Sequence, residues 1–393
     1  MPTKSQYEQL REVYRSELLD HVLPFWMDHS IDRTYGGYIS CLARDGSWND
    51  TDKCAWMQGR ELWGLSKIYN EYGKDPALLE AAKLGAEFIR DHLFAENGDV
   101  YFCVKRTGEP LTHPYNIFSE AFVAVGMAEY YRASGEEWAK KEADRLYRRF
   151  QERRKNPKGI WTKPVAGARA YAPLNMSMIE FMMYRELHGI VEETYLRGIL
   201  DSHIRYFFDR HVDRENHRIL ERPLPDGGHD FEHMEGRLMT PGHTLETIWF
   251  LMDIVRDDEA MVRDLADMML WVIDIGWDKQ HGGIPLYMDA IGRQPEKLES
   301  NQRHWWVHAE ALCAFLLAHR LTGSREHWVW FERIHKYVFE HFPDHEFGEW
   351  YAYLDRHGEP EFTVKGSKWK TLYHLPRALM ECEKWLGELA DKA

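Results

Sequence analysis

At 393 residues and 44% hydrophobic content, the chain has material for a large core, enough for two or three ordinary domains or one large repetitive one. Its 50 basic and 64 acidic residues leave a net charge of -14, which disfavours nucleic acid and anionic membrane surfaces as partners. The nearest thing to a basic patch, Arg149, Arg153, Arg154 and Lys155, ends a helix and reads as cations complementing its C-terminal dipole.

Five cysteines, Cys41, Cys54, Cys103, Cys313 and Cys382, are widely spaced with no C-x-x-C pair, which argues against a disulfide framework and for a reducing compartment. The segment from Met1 to Leu10 is polar and lacks an apolar signal region, and no stretch nears the roughly 18 apolar residues of a membrane span. The expectation is a cytoplasmic protein.

Helical periodicity runs from end to end. The expected helices cover 5–27, 53–72, 76–94, 116–134, 136–153 and 173–188, then 190–211, 240–254, 257–275, 303–322, 325–341 and 368–387. Short strand-and-turn segments lie between them and repeat. Asn97-Gly98-Asp99-Val100-Tyr101 running to Arg106-Thr107-Gly108-Glu109-Pro110 is matched by Phe347-Gly348-Glu349-Trp350-Tyr351 running to Arg356-His357-Gly358-Glu359-Pro360. Asp32-x-x-x-Gly36-Gly37 returns as Asp278-x-x-x-Gly282-Gly283. A helix pair plus a β-hairpin is therefore the unit, and about six units stack.

Within most pairs one helix is apolar nearly all round, as in Phe118 to Met127 and Ala309 to Ala318, while its partner is amphipathic, as in Glu137 to Arg153. That pattern fits an inner and an outer ring: an all-α (α/α)6 toroid with short β-hairpins between pairs. No Pro/Gly/Ser-rich linker interrupts it, so residues 1–393 read as a single domain.

Chemically equipped residues gather where the inner helices begin. The second helix opens with Trp56-Met57-Gln58-Gly59-Arg60, the fourth with Asn116-Ile117-Phe118-Ser119-Glu120 and the sixth with Asn175. The eighth opens with Pro241-Gly242-His243-Thr244-Leu245-Glu246, the tenth with Trp305-Trp306-Val307-His308-Ala309-Glu310, and the twelfth carries His374 and Arg377. Taken alone, each has a plain structural reading: Thr240 caps a helix, Glu120 and Glu310 are first-turn acids, the tryptophans fill the core. Recurrence at one structural phase places them around one cavity instead. Trp56, Glu120, Asn175, Glu246, Trp306, His308 and Arg377 are the candidates to hold a substrate there.

His304-x-x-x-His308 has metal-like spacing, but Glu310 lies about 200° round the helix from His308, so no metal is expected. No dinucleotide or phosphate loop and no Gly-x-Ser-x-Gly elbow occurs. Two imidazoles, His243 and His374, on opposite sides of a cavity suit proton abstraction beside a carbonyl and return from the other face, with Arg60 steadying the oxyanion and Glu246 or Glu310 orienting an imidazole. Return to the neighbouring carbon would give aldose–ketose isomerisation, and the rim acids keep inverting glycoside hydrolysis open. A non-enzymatic helical scaffold is the remaining alternative.

Lys53-x-x-Trp56-x-Gln58-Gly59-Arg60, Ile117-Phe118-Ser119-Glu120, Pro241-Gly242-His243-Thr244-Leu245-Glu246, Trp305-Trp306-x-His308-x-Glu310-Ala311 and His374-x-Pro376-Arg377 together resemble the N-acylglucosamine 2-epimerase family, in order and over almost the whole length. The resemblance implies an (α/α)6 barrel, interconversion of N-acetylglucosamine and N-acetylmannosamine, no required cofactor and a homodimer. It also implies His243 and His374 as the acid/base pair, with Arg60 and Glu310 as essential neighbours. Some members use ATP as an effector; here Lys365-Gly366-Ser367-Lys368 stands where a more glycine-rich segment would be expected. Relatives acting on mannose, glucose or a β-linked disaccharide typically add a histidine on the sixth helix, and Leu174-Asn175-Met176-Ser177 has none.

Overall fold

The computed structural model describes residues 2–393. In chain order its α-helices are α1 (Lys4–Ser16), α2 (Leu23–His29), α3 (Ala55–Glu71), α4 (Pro76–His92), α5 (Phe118–Ser134), α6 (Glu137–Arg153) and α7 (Asn175–Leu187). There follow α8 (Glu193–Arg210), α9 (Pro241–Ile254), α10 (Glu259–Gly276), α11 (Trp305–Thr322), α12 (Arg325–His341) and α13 (His374–Lys392). Helices α3, α5, α7, α9, α11 and α13 pack side by side in sequence order as an inner ring, and the others back them from outside. The ring closes where Tyr373 meets Trp63 edge-to-face at 5.2 Å, beside α3. The inner helix α11 has an unbroken buried run from Val307 to His319. Where α3 meets α5 the backbones nearly touch. A Cβ on Gly126 would lie 2.4 Å from the Gly59 carbonyl oxygen, so only glycine fits that crossing.

Two helices depart from the expected spans. The stretch 5–27 is not one α-helix: Glu17–Val22 is π-helical between α1 and α2. Pro24 lacks an N–H and its ring would press on the carbonyl four residues back; the wider turn before it, with the Leu23 N–H bonded to the Leu18 carbonyl, relieves this. The last helix begins at His374 rather than 368, because the residues before it are drawn elsewhere. Ser367 Oγ accepts the N–H groups of Trp369 and Lys370, and the Lys370 ammonium reaches Glu349 at 2.9 Å.

The repeats seen in the sequence are latches that seat the inner helices. In each, an aspartate at the end of an outer helix accepts from a cation just before an inner helix and from a hairpin arginine. Asp32 is held by Lys53 Nζ at 3.0 Å and Arg106 Nε at 2.8 Å. Asp278 is held by Arg303 Nη2 at 2.8 Å and Arg356 Nε at 3.1 Å. A third copy, hidden in the sequence, uses Asp344 with Lys365 at 2.8 Å and Arg44 at 2.7 Å; Glu349 takes the second glycine's place there with φ of 55°. Antiparallel strands tie the first two copies together: Lys53–Cys54 pairs with Cys103–Val104, and Arg303–His304 with Tyr353–Leu354.

Asp32 and Lys53 are both fully buried. Removing one member of a buried ion pair strands the other, at a cost of about 3–5 kcal/mol. Asp32→Ala should therefore lower the denaturant midpoint by a shift of that size, while Arg33→Ala next to it, which pairs with an exposed Glu80, should leave the midpoint nearly unmoved.

Candidate active site

The starts of the inner helices open onto a cavity of about 450 Å³ lined by Trp56, Arg60, Met178, His243, Glu246, Leu286, Tyr287, Glu299, His304, Trp305, Trp306, Tyr353, Trp369 and His374. Each wall follows from local structure. Leu238–Met239 pairs with Met288–Asp289, and Arg237 grips Asp289 at 2.8 Å, which fixes where α9 begins. Pro241 takes the first helical position, and Thr240 is the N-cap, though its hydroxyl makes no capping bond. A side chain at Gly242 would meet Trp306 at 2.6 Å, so the Pro-Gly-His sequence lets the indole lie against α9. Trp306 then stands between the two histidines, its ring 5.3 Å from that of His243 and 5.8 Å from that of His374.

Each histidine has Nδ1 engaged by a carboxylate, which leaves Nε2 as the nitrogen for the cavity. His243 Nδ1 lies 3.0 Å from Glu221, and His374 Nδ1 lies 2.7 Å from Glu310. Their surroundings push them in opposite directions. Burial opposes the imidazolium of His243, but the Glu221 carboxylate outweighs it and holds the pKa above the ordinary value. Burial drives His374 down to about 3, and the nearby guanidiniums of Arg377 and Arg60 add to it against the pull of Glu310. The site thus keeps His374 neutral at neutral pH and favours the protonated form of His243 relative to a free imidazole.

Behind His374, Arg377 Nη2 lies 2.5 Å from Glu246 and 2.6 Å from Glu310, and Trp249 donates its indole N–H to Glu310 at 2.8 Å. Glu310 stays ionised, below its usual range, because Arg377 and His374 outweigh its burial. Glu246 is pushed up to about 7 by burial and by the Glu310 charge. Ligand atoms of Glu246, Glu310 and His374 come within 4.8 Å of one another, yet the guanidinium nitrogen already fills the place a cation would take between the carboxylates. Arg60 sits with its guanidinium carbon 4.0 Å from the Phe122 ring centre, and its buried Nε has no protein partner. The indole N–H of Trp56 is likewise unpartnered. Both residues line the cavity.

Of the residues expected to hold substrate, Trp56, Glu246 and Trp306 line the cavity. Four do not. His308 is fully buried and structural: its Nε2 accepts the Ile284 N–H at 3.0 Å and its Nδ1 faces the His304 carbonyl at 2.8 Å. Gln58 does the same for Tyr38 at 2.9 Å, so the position belongs to the latch repeat. Glu120 is also fully buried, paired with Arg153 and accepting the Val100 N–H. Asn175 starts α7 outside the cavity wall. Arg377 lies behind the wall, with both expected carboxylates as its partners. Sequence reasoning missed Glu221, whose only local signal is a loop after a two-residue strand; it is placed by Leu174 N–H donating to its carbonyl at 3.0 Å. Tyr287, Glu299, Tyr353 and Trp369 were missed for a related reason: Tyr287 and Trp369 sit on loops, Glu299 in a 3-10 turn and Tyr353 in a two-residue strand, all too short to carry a periodicity.

The Lys365–Lys368 segment offers little to a phosphate. Lys365 is buried on Asp344, and Lys368 meets Asp50 at 3.4 Å. A second cavity, of about 490 Å³, opens at the C-terminal ends of the inner helices, where Lys67, Arg132, Arg185 and Lys384 pair with Glu71, Glu129, Asp253 and Glu381. It holds neither histidine.

A model of the N-acylglucosamine 2-epimerase (GlcNAc 2-epimerase) family matches residues 37–378. The N-acylglucosamine 2-epimerase of Mus musculus is 34% identical over 383 residues, spanning 95% of this chain and 91% of that protein. The cellobiose 2-epimerase of a Ruminococcus albus strain is 29% identical over 403 residues, spanning 93% and 96%. Among solved structures, that of cellobiose 2-epimerase from Bacillus thermoamylovorans B4167 superposes with a TM-score of 0.81 at 23% identity, covering 96% of this chain and 99% of that one; it shares the (α/α)6 barrel.

Folding raises the pKa of His243 above its unfolded value of about 6.5, so the pair with Glu221 stabilises the fold below that pH and loses its effect as pH rises through the folded value. Glu221→Gln should bring the His243 imidazole titration, followed by NMR, down to or below about 6.5. The stability gap between wild type and variant should be widest near pH 5–6 and close at alkaline pH.

Proposed function

Since the chain belongs to the N-acylglucosamine 2-epimerase family and is a carbohydrate 2-epimerase, we propose that it interconverts N-acetylglucosamine and N-acetylmannosamine by proton transfer at C2 of the open-chain sugar. The observation that carries this reading is the pair of imidazoles packed against Trp306, with His374 kept neutral and His243 drawn toward its charged form by Glu221. In one direction the neutral His374 takes the C2 proton through Nε2, which its bond to Glu310 leaves as the lone-pair nitrogen. The electrons pass to the aldehyde oxygen, where the guanidinium of Arg60, which lines the cavity, steadies the enolate. His243, protonated beside Glu221, then gives a proton to the opposite face of C2, and the configuration inverts. In the reverse direction the two exchange roles. Where α7 meets the cavity it contributes Met178, a thioether, so no third imidazole is added from that helix.

The same reading takes the enzyme as cytoplasmic, independent of cofactors and homodimeric. Five free cysteines support a reducing compartment, the family resemblance supports the dimer, and a pair of imidazoles supplies both proton transfers unaided.

Incubating N-acetylmannosamine with the enzyme in deuterated water should place one deuterium at C2 of the epimerised product. Full retention of the original hydrogen would exclude the two-base route, and a ketose in the mixture would move the assignment to aldose–ketose isomerisation. His243→Asn and His374→Asn should each lower kcat by about 10²–10⁴-fold. Loss confined to KM in either variant would remove it from the proton-transfer step.

A further inference from the structure

Cys54 and Cys103 stand 49 residues apart in the sequence and meet in the fold. They are directly opposite one another in the antiparallel pair Lys53–Cys54 with Cys103–Val104, and their sulfurs are 3.2 Å apart, the Cys54 S–H pointing at the Cys103 sulfur. Directly opposed residues in an antiparallel pair have Cα atoms about 4.5–5.5 Å apart, inside the range of about 4.4–6.8 Å that a disulfide spans. We propose that this pair is a redox modification site, oxidised by a peroxide to an intramolecular disulfide that reshapes the wall of the sugar pocket.

The chemistry balances without any other group. A Cys103 thiolate attacks one oxygen of hydrogen peroxide, the O–O bond breaks, and a sulfenic acid forms with loss of hydroxide, which takes up the proton the Cys103 thiol had released and becomes the first water. The Cys54 sulfur then attacks the Cys103 sulfur, the S–S bond forms, and hydroxide leaves as a second water with the proton Cys54 gives up. Two thiols lose two electrons and two protons; the peroxide is reduced to two waters.

The surroundings pick out Cys103 as the attacking thiol. It is 5% exposed against 1% for Cys54, and the bond from Cys54 holds its pKa below the usual thiol value, helped by Lys368 and opposed by burial, Asp52 and Asp50. The other cysteines are worse placed. Burial and the Asp50 charge push Cys41 up to about 11, and Cys313 and Cys382 are fully enclosed in the core.

The consequence reaches the pocket through two neighbours. Cys54 immediately precedes α3, which carries Trp56, and Phe102 precedes Cys103 and packs against Trp56 at 5.7 Å and Trp369 at 6.4 Å. Closing the sulfurs from 3.2 Å to about 2.05 Å draws these aromatic walls together. The histidines are carried by α9 and α13, away from this sheet, so the change reaches the pocket through α3, which carries both Trp56 and Arg60, and not through the two bases.

The test uses the full chain, treated with hydrogen peroxide, denatured, alkylated and mapped by mass spectrometry. A peptide joining Cys54 to Cys103 should appear, three of the five cysteines should still alkylate, and dithiothreitol should reverse both. The KM for N-acetylmannosamine should rise about threefold in oxidised wild type, and stay constant on peroxide treatment in Cys103→Ser and in Cys54→Ser. The kinetic half rests on the epimerase reading; the mass measurement does not, so the two fail separately. Five alkylated cysteines after peroxide, a bridge between Cys313 and Cys382 instead, or a KM shift that persists in Cys103→Ser would overturn the proposal.

Discussion

One nitrogen, Nη2 of Arg377, lies between Glu246 and Glu310 and gathers three inner helices around a single buried charge. Two carboxylates this close and this deeply buried repel each other, and neither could ionise cheaply without a cation between them. With Arg377 in place Glu310 remains a carboxylate and Glu246 drifts toward its neutral form. An ionised Glu310 can only accept, so its bond with His374 Nδ1 places the proton on that nitrogen and leaves the lone pair on Nε2. The tautomer of His374 is thus set two residues away from the imidazole itself. The same guanidinium, together with Arg60, keeps His374 from taking up a proton at rest.

The contrast between the histidines follows from what stands behind each. His243 has a carboxylate from a loop and a partly open ring, with 28% of its side chain exposed; His374 has a carboxylate already claimed by a guanidinium and is 10% exposed. An inversion needs a base and an acid at the same pH, on opposite faces of one carbon. Two identical environments would leave both imidazoles in the same protonation state at most pH values. Different partners on an otherwise symmetrical ring provide the difference.

Much of this was legible in the sequence because helical periodicity is a local signal. The inner helices announced themselves by being apolar all round, and the recurrence of His243, Glu310 and His374 at helix starts located the cavity. The Asp32 and Asp278 latches were visible as repeats since glycine at two positive-φ positions leaves a readable pair. The Asp344 latch was not, because Glu349 adopts the same backbone conformation without glycine. Glu221 and the Cys54–Cys103 contact were invisible for a different reason. Each depends on two segments brought together by the ring, and neither segment carries a pattern of its own.

The latch also explains why His308 is taken up by the fold while Glu310 stands behind a cavity histidine. The cations Lys53, Arg303 and Lys365 stand five residues before Gln58, His308 and Lys370, and each of these last three bonds to the backbone just after the latch turn: Tyr38, Ile284 and Trp350. Two residues further on, a helix has turned about 200°, so Arg60 and Glu310 face the barrel axis while Gln58 and His308 face the hairpins. The chain uses one position for assembly and the next-but-one for chemistry. In the third copy the helix has not yet begun, since Lys370 and Thr371 are held by Glu349 and Glu61. The turn is postponed, and the first helical residue becomes His374, carried to the cavity by a delay in helix formation that no periodicity in the sequence records.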